Sequence, residues 1–374
     1  MPITTFSCLG VVVFAILAIV QMVTERDNDG IGHSLIKAGV ALMLSGVPGT
    51  LDVFVSFTLS MVSNDSENIG VIDKGYTYVL MVAGFMLILI GIVVVSKLRK
   101  RIYILNLFGI NKKEISERNT LKQLKLQDYR VKEQIINIIP IFEDGLSIDE
   151  NLNKFITVLI QDGAISFHTR IGEDCGCFTG MAPIPYTIFA GTFLGSANLN
   201  RFFEYNRNSE DGYYELRKSK KLFEKKWPKL HEIETSAQGD TNISEVALAI
   251  SVTHEISTED LVQFNDMPVV RLGLEDPQDN IIRNKEQLLE YKKVIHDYLD
   301  KILRQRYPKI KKVHLVASIP SCLSIEIGRL IGMGKNRMPD IIAYHYIVSK
   351  EPRYLFGIYV SGNQKGSLIC ADGR

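Results

Sequence analysis

Val313-His314-Leu315-Val316-Ala317-Ser318-Ile319-Pro320-Ser321 reads as a buried strand, a turn and the start of a helix. The apolar run is short and ends at a proline-containing turn, which suits a strand; the longer apolar stretch behind it carries Gly328-x-x-x-Gly332 and suits a helix. An aromatic strand follows at 341–347 and a second strand at 354–359. The same order stands earlier in the chain. Ile184-Pro185-Tyr186 introduces an apolar helix carrying Gly191-x-x-x-Gly195, and strands follow around 202–206 and 213–216. Tyr205 and Tyr213 have the spacing of Tyr346 and Tyr354.

Each copy opens upstream with another apolar strand. In the first copy this is 135–142, followed by a helix capped by Ser147 with Asp149 and Glu150 in its first turn. In the second it is 246–252, followed by a helix capped by Ser257 or Thr258 with Glu259 and Asp260 behind it. The second copy carries an extra helix over 284–307, with Leu288, Leu289, Val294, Ile295, Leu299, Ile302 and Leu303 as core positions. Strands alternating with helices predict an α/β fold of open, mainly parallel sheets in Rossmann-like layers. The halves run over about 135–217 and 240–374 and are expected to be related by a pseudo-two-fold axis. Ligands of such sheets bind beyond the carboxyl ends of the strands, so two halves bring two edges around one pocket.

The first hundred residues differ in kind. Three apolar stretches, 6–24, 38–62 and 77–96, each reach the ~20 residues needed to cross the hydrocarbon core. Residues 1–100 are therefore expected to be a transmembrane module and 101–134 a linker or coupling helix. Lys97, Arg99, Lys100 and Arg101 put the end of the third stretch on the cytoplasmic side. The expectation is a multi-pass protein of the bacterial inner membrane, with the lipid bilayer as a partner. Pro48 and Asp52 interrupt the middle stretch, as a membrane hinge or polar lining, or as part of a re-entrant segment that leaves two crossings.

Composition narrows the chemistry. Among 374 residues, 43 Lys and Arg stand against 42 Asp and Glu, a formal charge of +1, which gives no field for DNA or long RNA. The five cysteines are scattered, and Cys175-x-Cys177 has no further Cys/His ligands at metal-site spacing. No H-E-x-x-H, P-loop or serine nucleophile elbow is present, so no catalytic residues, metal or cofactor are assigned and the chain reads as a non-enzyme.

The stretch from Val313 through Gly328-Arg329 to Pro339-Asp340-Ile341-Ile342-Ala343-Tyr344-His345-Tyr346 resembles the C-terminal part of SAVED domains. These are the sensor domains of bacterial CBASS anti-phage defence. The Pro183-Ile184-Pro185 helix and the 202–214 hairpin resemble the N-terminal half of the same domain, so the resemblance covers about 135–360. It implies two fused CARF-like Rossmann halves. It further implies binding of a cyclic oligonucleotide, such as a cyclic trinucleotide, made by a partner nucleotidyltransferase. Ligand-induced homo-oligomerisation and, with membrane spans attached, disruption of the inner membrane complete the implied function; a membrane-anchored cyclic-nucleotide phosphodiesterase and a ligand-gated pore are the alternatives.

Such a ligand carries phosphates and bases. Phosphates favour backbone N–H groups at helix N-termini, where the dipole is positive. Ser251, Thr253, His254, Ser318, Pro320 and Ser321 lie in strand-to-helix turns of the second copy, and Pro185 and Tyr186 in one of the first. Phe142-Glu143-Asp144 is the other first-copy turn. Arg329 and Lys335 are candidates for phosphate pairing; Tyr186, Tyr344 and Tyr346 are candidates for base stacking, worth ~1–3 kcal/mol each. Between the halves, a basic run around Trp227 reads as a connector helix or a phosphate-binding patch.

Overall fold

The computed structural model describes residues 28–45, 74–98, 101–110, 114–115, 117–126, 129–139, 148–172, 174–206, 212–217, 227–235, 242–334 and 337–370. The chain divides into two compact units, Met1–Arg101 and Ile102–Arg374.

The first unit contains helices α1 (Asn28–Ser45) and α2 (Lys74–Leu98). They meet where both lack a side chain: a Cβ on Gly39 would stand 2.6 Å from the Gly84 carbonyl oxygen, and the reverse holds for Gly84. The expected inner-membrane, multi-pass location is corrected here. Among the described residues, no helix is long and apolar enough to cross a membrane. The stretch at 6–24 lies outside the described residues, as do 46–62 with Pro48 and Asp52. The third stretch falls in α2.

The second unit holds two sheets. The first has the order β2-β1-β3-β4-β5, from β1 (Arg101–Phe108), β2 (Arg130–Asn137), β3 (Cys175–Met181), β4 (Leu199–Tyr205) and β5 (Tyr213–Glu215). β1, β3 and β4 run parallel and β5 returns antiparallel. The second sheet has the order β12-β11-β10-β9-β7-β8-β6. Its strands are β6 (His231–Thr235), β7 (Glu245–Ser251), β8 (Val269–Gly273), β9 (Lys312–Ser318), β10 (Asp340–His345), β11 (Phe356–Tyr359) and β12 (Leu368–Cys370). Here β8, β7, β9 and β10 are parallel, while β6 pairs antiparallel with β8, β11 with β10 and β12 with β11, leaving β6 and β12 as the edges.

The repeat is present, but shifted from its expected register. The order β2-β1-β3-β4-β5 matches β8-β7-β9-β10-β11 strand for strand. The counterpart of β7 is therefore β1, in the stretch read as a linker, and not a strand at 135–142. Six of β1's eight residues are buried, alternating at its start and unbroken from Ile104 to Phe108, as befits a central strand. Helix α4 follows β2, with α3 (Arg118–Gln123) between β1 and β2. α4 (Glu150–Ile171) is capped by Asp149, whose carboxylate accepts from Leu152 N at 2.7 Å. Its counterpart is α6 (Lys285–Asp297), because each helix joins the edge side of its sheet to the next central strand. The helix read as extra is thus the matching element, continued by a π turn (Tyr298–Ile302) and α7 (Leu303–Arg306). Leu288, Ile295, Leu299 and Leu303 are buried as expected, whereas Leu289 points to solvent.

Two glycine-bearing helices join the halves: α5 (Ile184–Gly191) and α8 (Ser321–Met333). A Cβ on Gly328 would lie 2.0 Å from the Ile188 carbonyl oxygen, one on Gly191 2.3 Å from that of Ile325, and one on Gly332 2.4 Å from that of Thr192. The glycines therefore serve close helix–helix approach rather than helix–sheet packing. One continuous apolar core runs through both halves, from Leu105 and Ile160 to Leu315 and Ile358.

Candidate functional site

In the second sheet, β7 leads to β8 on one side while β9 begins on the other, so the strand order reverses between β7 and β9. Ligands of open α/β sheets settle in the crevice at such a reversal, beyond the carboxyl ends. Ser251 and Ser318 are register partners at that end. The Ser318 carbonyl accepts from Val252 N and Thr253 N, both at 2.9 Å. The Ser318 hydroxyl accepts from His254 N at 3.1 Å and lies 2.9 Å from Thr253 Oγ1. Ser251 Oγ accepts from Ile256 N at 3.1 Å. The hydroxyls thus shape the turn that follows β7, while the His254 imidazole stands in solvent, 3.9 Å from Asp279.

The first half builds the same turn without hydroxyls. Gly109 N and Ile110 N donate to the Met181 carbonyl at 2.9 and 2.8 Å, as Val252 and Thr253 do to Ser318. Phe108 and Met181 are the register partners there. Gly109 has no room for more: a Cβ would stand 2.7 Å from Pro183 Cδ. Ile110, the counterpart of Thr253, leaves 55% of its surface exposed. Among the described residues, one turn is polar and the other apolar.

A loop behind β8 ties the two together. Leu274 N donates to Ser251 O at 3.1 Å and Gln278 N to Val252 O at 3.2 Å. Asn280, in the left-handed region at φ 57°, donates from Nδ2 to Asn206 Oδ1 at 3.0 Å, at the end of β4. Tyr214 of β5 donates its hydroxyl to Ile282 O at 3.2 Å, and the Arg283 guanidinium lies 4.3 Å from the Tyr214 ring centre.

The helix N-terminus at Ser321 is already filled. Glu204 of β4 is buried and accepts from Cys322 N; Ser321 N also stabilises it, and Ser321 Oγ donates to Gly180 O at 2.6 Å. Burial raises the Glu204 carboxyl to about 7, against those N–H donors. A carboxylate of one half thus occupies the cradle the sequence suggested for a phosphate. Its counterpart is His345, one residue before Tyr346 as Glu204 is before Tyr205. The Tyr205–Tyr213 and Tyr346–Tyr354 ring pairs confirm the match, at 5.2 and 5.3 Å. Burial lowers the His345 imidazole to about 4.

Of the sequence candidates, Ser251, Thr253, His254 and Ser318 come together, with Pro320 and Ser321 on the turn behind them. Others have different work. Pro185 and Tyr186 are buried in α5, and the Tyr186 hydroxyl donates to Asn153 Oδ1 at 3.2 Å. Tyr344 is buried with its hydroxyl 2.9 Å from His314 Nδ1, and His314 Nε2 lies 2.9 Å from Glu245. Arg329 donates to Gly195 O and Ala197 O at 3.1 and 2.6 Å and pairs with Glu326, pinning α8 to the first half. Tyr346 is partly exposed, its hydroxyl 3.3 Å from Asp260. Trp227 donates to Glu290 at 2.7 Å on α6. Lys335 and 140–147, with Phe142, Glu143, Asp144 and Ser147, lie outside the described residues. Sequence reasoning missed Glu204, Asn206, Asn280 and Ile110. For Glu204 the signal was there, in the matched positions before Tyr205 and Tyr346. Among the described residues no cluster of His, Cys, Asp or Glu is arranged to hold a metal ion.

Comparisons with known proteins bear on this architecture. The Acinetobacter baumannii Cap4 SAVED/CARF-domain containing receptor with the cyclic trinucleotide 2'3'3'-cAAA is similar at a TM-score of 0.47 and 13% identity. That match covers 84% of this chain and 67% of the receptor. The same receptor with 3'3'3'-cAAA gives a TM-score of 0.44 at 13% identity, over 82% of this chain and 65% of that one. No curated protein matches the chain. The family model of the SMODS-associated and fused to various effectors sensor domain matches residues 149–360. That is more than half of a chain whose mixed α/β fold holds two matching sheets, and the chain belongs to the SAVED family of sensor domains.

Proposed function

We propose that the chain is a receptor for a cyclic oligonucleotide, bound between the polar turn after β7 and the apolar turn after β1. The observation that carries this reading is the pair of equivalent turns at the carboxyl edges of two matching sheets. The second-half turn offers hydroxyls, His254 and backbone polar groups to phosphate and sugar. The first-half turn offers Ile110 as a flat apolar contact for a base. Asn206 and Asn280 bridge the two edges, and carboxamides suit the donor–acceptor edge of a purine. Family membership supports the sensor role, and a nucleotidyltransferase is the kind of enzyme that supplies such a ligand. Ligand filling both edges orders the loop around Asn280 and presents a surface for a second copy of the chain. SAVED domains are sensors, so no chemical step is assigned to the site.

The test is titration calorimetry of the full chain with cyclic di-, tri- and tetra-adenylates, beginning with the 2'3'3' and 3'3'3' trinucleotides. Binding is expected to weaken at least tenfold in His254→Ala and in Asn280→Ala, and little in Tyr344→Phe. Absence of binding to every ring size overturns the reading. Light scattering with saturating ligand tests assembly separately: an unchanged mass removes the oligomer and leaves the receptor.

A further inference from the structure

Away from the carboxyl edges, the first half carries a cavity of about 350 Å3, at the low end of the ~300–1,000 Å3 of small-molecule sites. Tyr103 of β1, Lys132, Glu133 and Gln134 of β2, and Phe167 and Arg170 of α4 line it. The second half is packed at the matching place. Gly109 and Ile110 match Val252 and Thr253, so Tyr103 on β1 matches Val246 on β7. Val246 is fully buried, and Leu299, Leu303 and Tyr307 from the extension behind α6 share its core. In the first half α4 ends at Ile171 and β3 begins at Cys175, which leaves no such extension, and Tyr103 is only half-buried. Along the same face of β2, Ile138 and Ile136 give way to Gln134 and Lys132. The Gln134 amide donates to Gly163 O at 2.7 Å and ties α4 to β2, while Lys132 and Arg170 are exposed.

Among the described residues, neither Lys132 nor Arg170 pairs with a carboxylate; Lys132 Nζ stands 5.4 Å from the Tyr103 ring centre. Glu133 turns to the opposite face of β2, where its carboxylate accepts from Asn106 Nδ2 at 2.7 Å and from Ile115 N at 3.2 Å. The two full positive charges outweigh the roughly half negative charge that the α4 dipole places at its last turn. We propose that this cavity is a second ligand site, for a phosphate monoester bearing one flat ring, of the mononucleotide class. Such a head carries about −1.5 to −2 at pH 7, which answers Lys132 and Arg170 together. The planar Arg170 guanidinium suits two of its oxygens at once. The ring lies against Tyr103, in the lining shared with Phe167. The small volume suits one nucleotide rather than a ring of three.

Titration calorimetry of the full chain with AMP, inorganic phosphate and adenosine tests this. AMP is expected to bind roughly tenfold more tightly than either of its parts. Arg170→Gln and Lys132→Gln, at exposed positions that spare the core, are each expected to weaken AMP roughly tenfold, the loss of one charge-assisted contact. His254→Ala, altered at the carboxyl edge of the other half, is expected to leave AMP binding as it is in wild type. Hydrogen exchange with AMP bound should slow at 131–135 and at the end of α4. No binding of AMP, binding that survives both charge variants, or binding lost in His254→Ala in their place overturns the proposal.

Discussion

Glu204 and His345 hold matching places in the two halves, and their titrations oppose each other. The folded Glu204 carboxyl is raised from 4.5 to about 7, so its contribution is full below pH 4.5 and lost as pH rises through 7. The folded His345 imidazole is lowered from 6.5 to about 4, so its contribution is full above pH 6.5 and lost as pH falls through 4. Between pH 4.5 and 6.5 the two slopes, each about 1.4 kcal/mol per pH unit, run in opposite directions and offset. Denaturant titration at several pH values checks this. Relative to wild type, Glu204→Gln should lose stability on acidification across that window and be the more stable protein at pH 8. His345→Phe should gain stability on acidification instead. Parallel profiles for all three proteins would end this account. Little of it could be read from sequence, because hydropathy ranks Glu204 as a surface residue in a strand. Only the repeat marks it, and only a fold that brings β4 against α8 supplies its donors. The tyrosines misled for a related reason. Period-two patterning puts Tyr344 and Tyr346 on one face of the strand, and does not say which is sealed by His314.

At the level of elements, the α5–α8 crossing depends on the absence of three side chains. Gly328→Ala places a methyl against the Ile188 carbonyl oxygen, a backbone atom that cannot turn away. Overpacking of this kind costs ~1–3 kcal/mol. Gly191→Ala is expected to cost a similar amount, and the double variant less than the sum, since both methyls force apart the same contact. Thermal melts of the four proteins measure the cycle, and strict additivity would contradict a shared contact. The glycine spacing was legible in sequence; its partner was not, because a small-x-x-x-small pattern shows only that something comes close. The register of the repeat was missed for a different reason. The later parts of each copy were recognised by their proline turns and paired tyrosines, but β1 begins directly behind the apolar stretch at 77–96 and a basic cluster. Arg101, Tyr103 and Asn106 within it gave the segment a mixed character. Once β1 was passed over, 135–142 took its place and α6 lost its counterpart.

For the molecule as a whole, one core with two carboxyl edges makes a distinctive prediction for ligand binding. A cyclic oligonucleotide at a hundredfold excess over its dissociation constant should stabilise the chain by about 2.7 kcal/mol. Hydrogen exchange should slow in both turns, 109–110 and 252–256, and in the connecting loop around Asn280. Protection confined to the second half would place the ligand on one sheet alone. The two-half α/β plan was legible because alternating strand and helix patterns survive any local misreading. The location was not, and the described helices correct it. The interlocked glycine helices have a practical corollary. A chain nicked at 236–241 leaves one fragment with the five-stranded sheet, β6 and α5, and another with β7 to β12 of the second sheet and α8. Neither should persist alone, yet mixed together they should reassemble the joined core, so the protein is a natural starting point for a split reporter, whose signal would follow the ligand if the proposed binding holds.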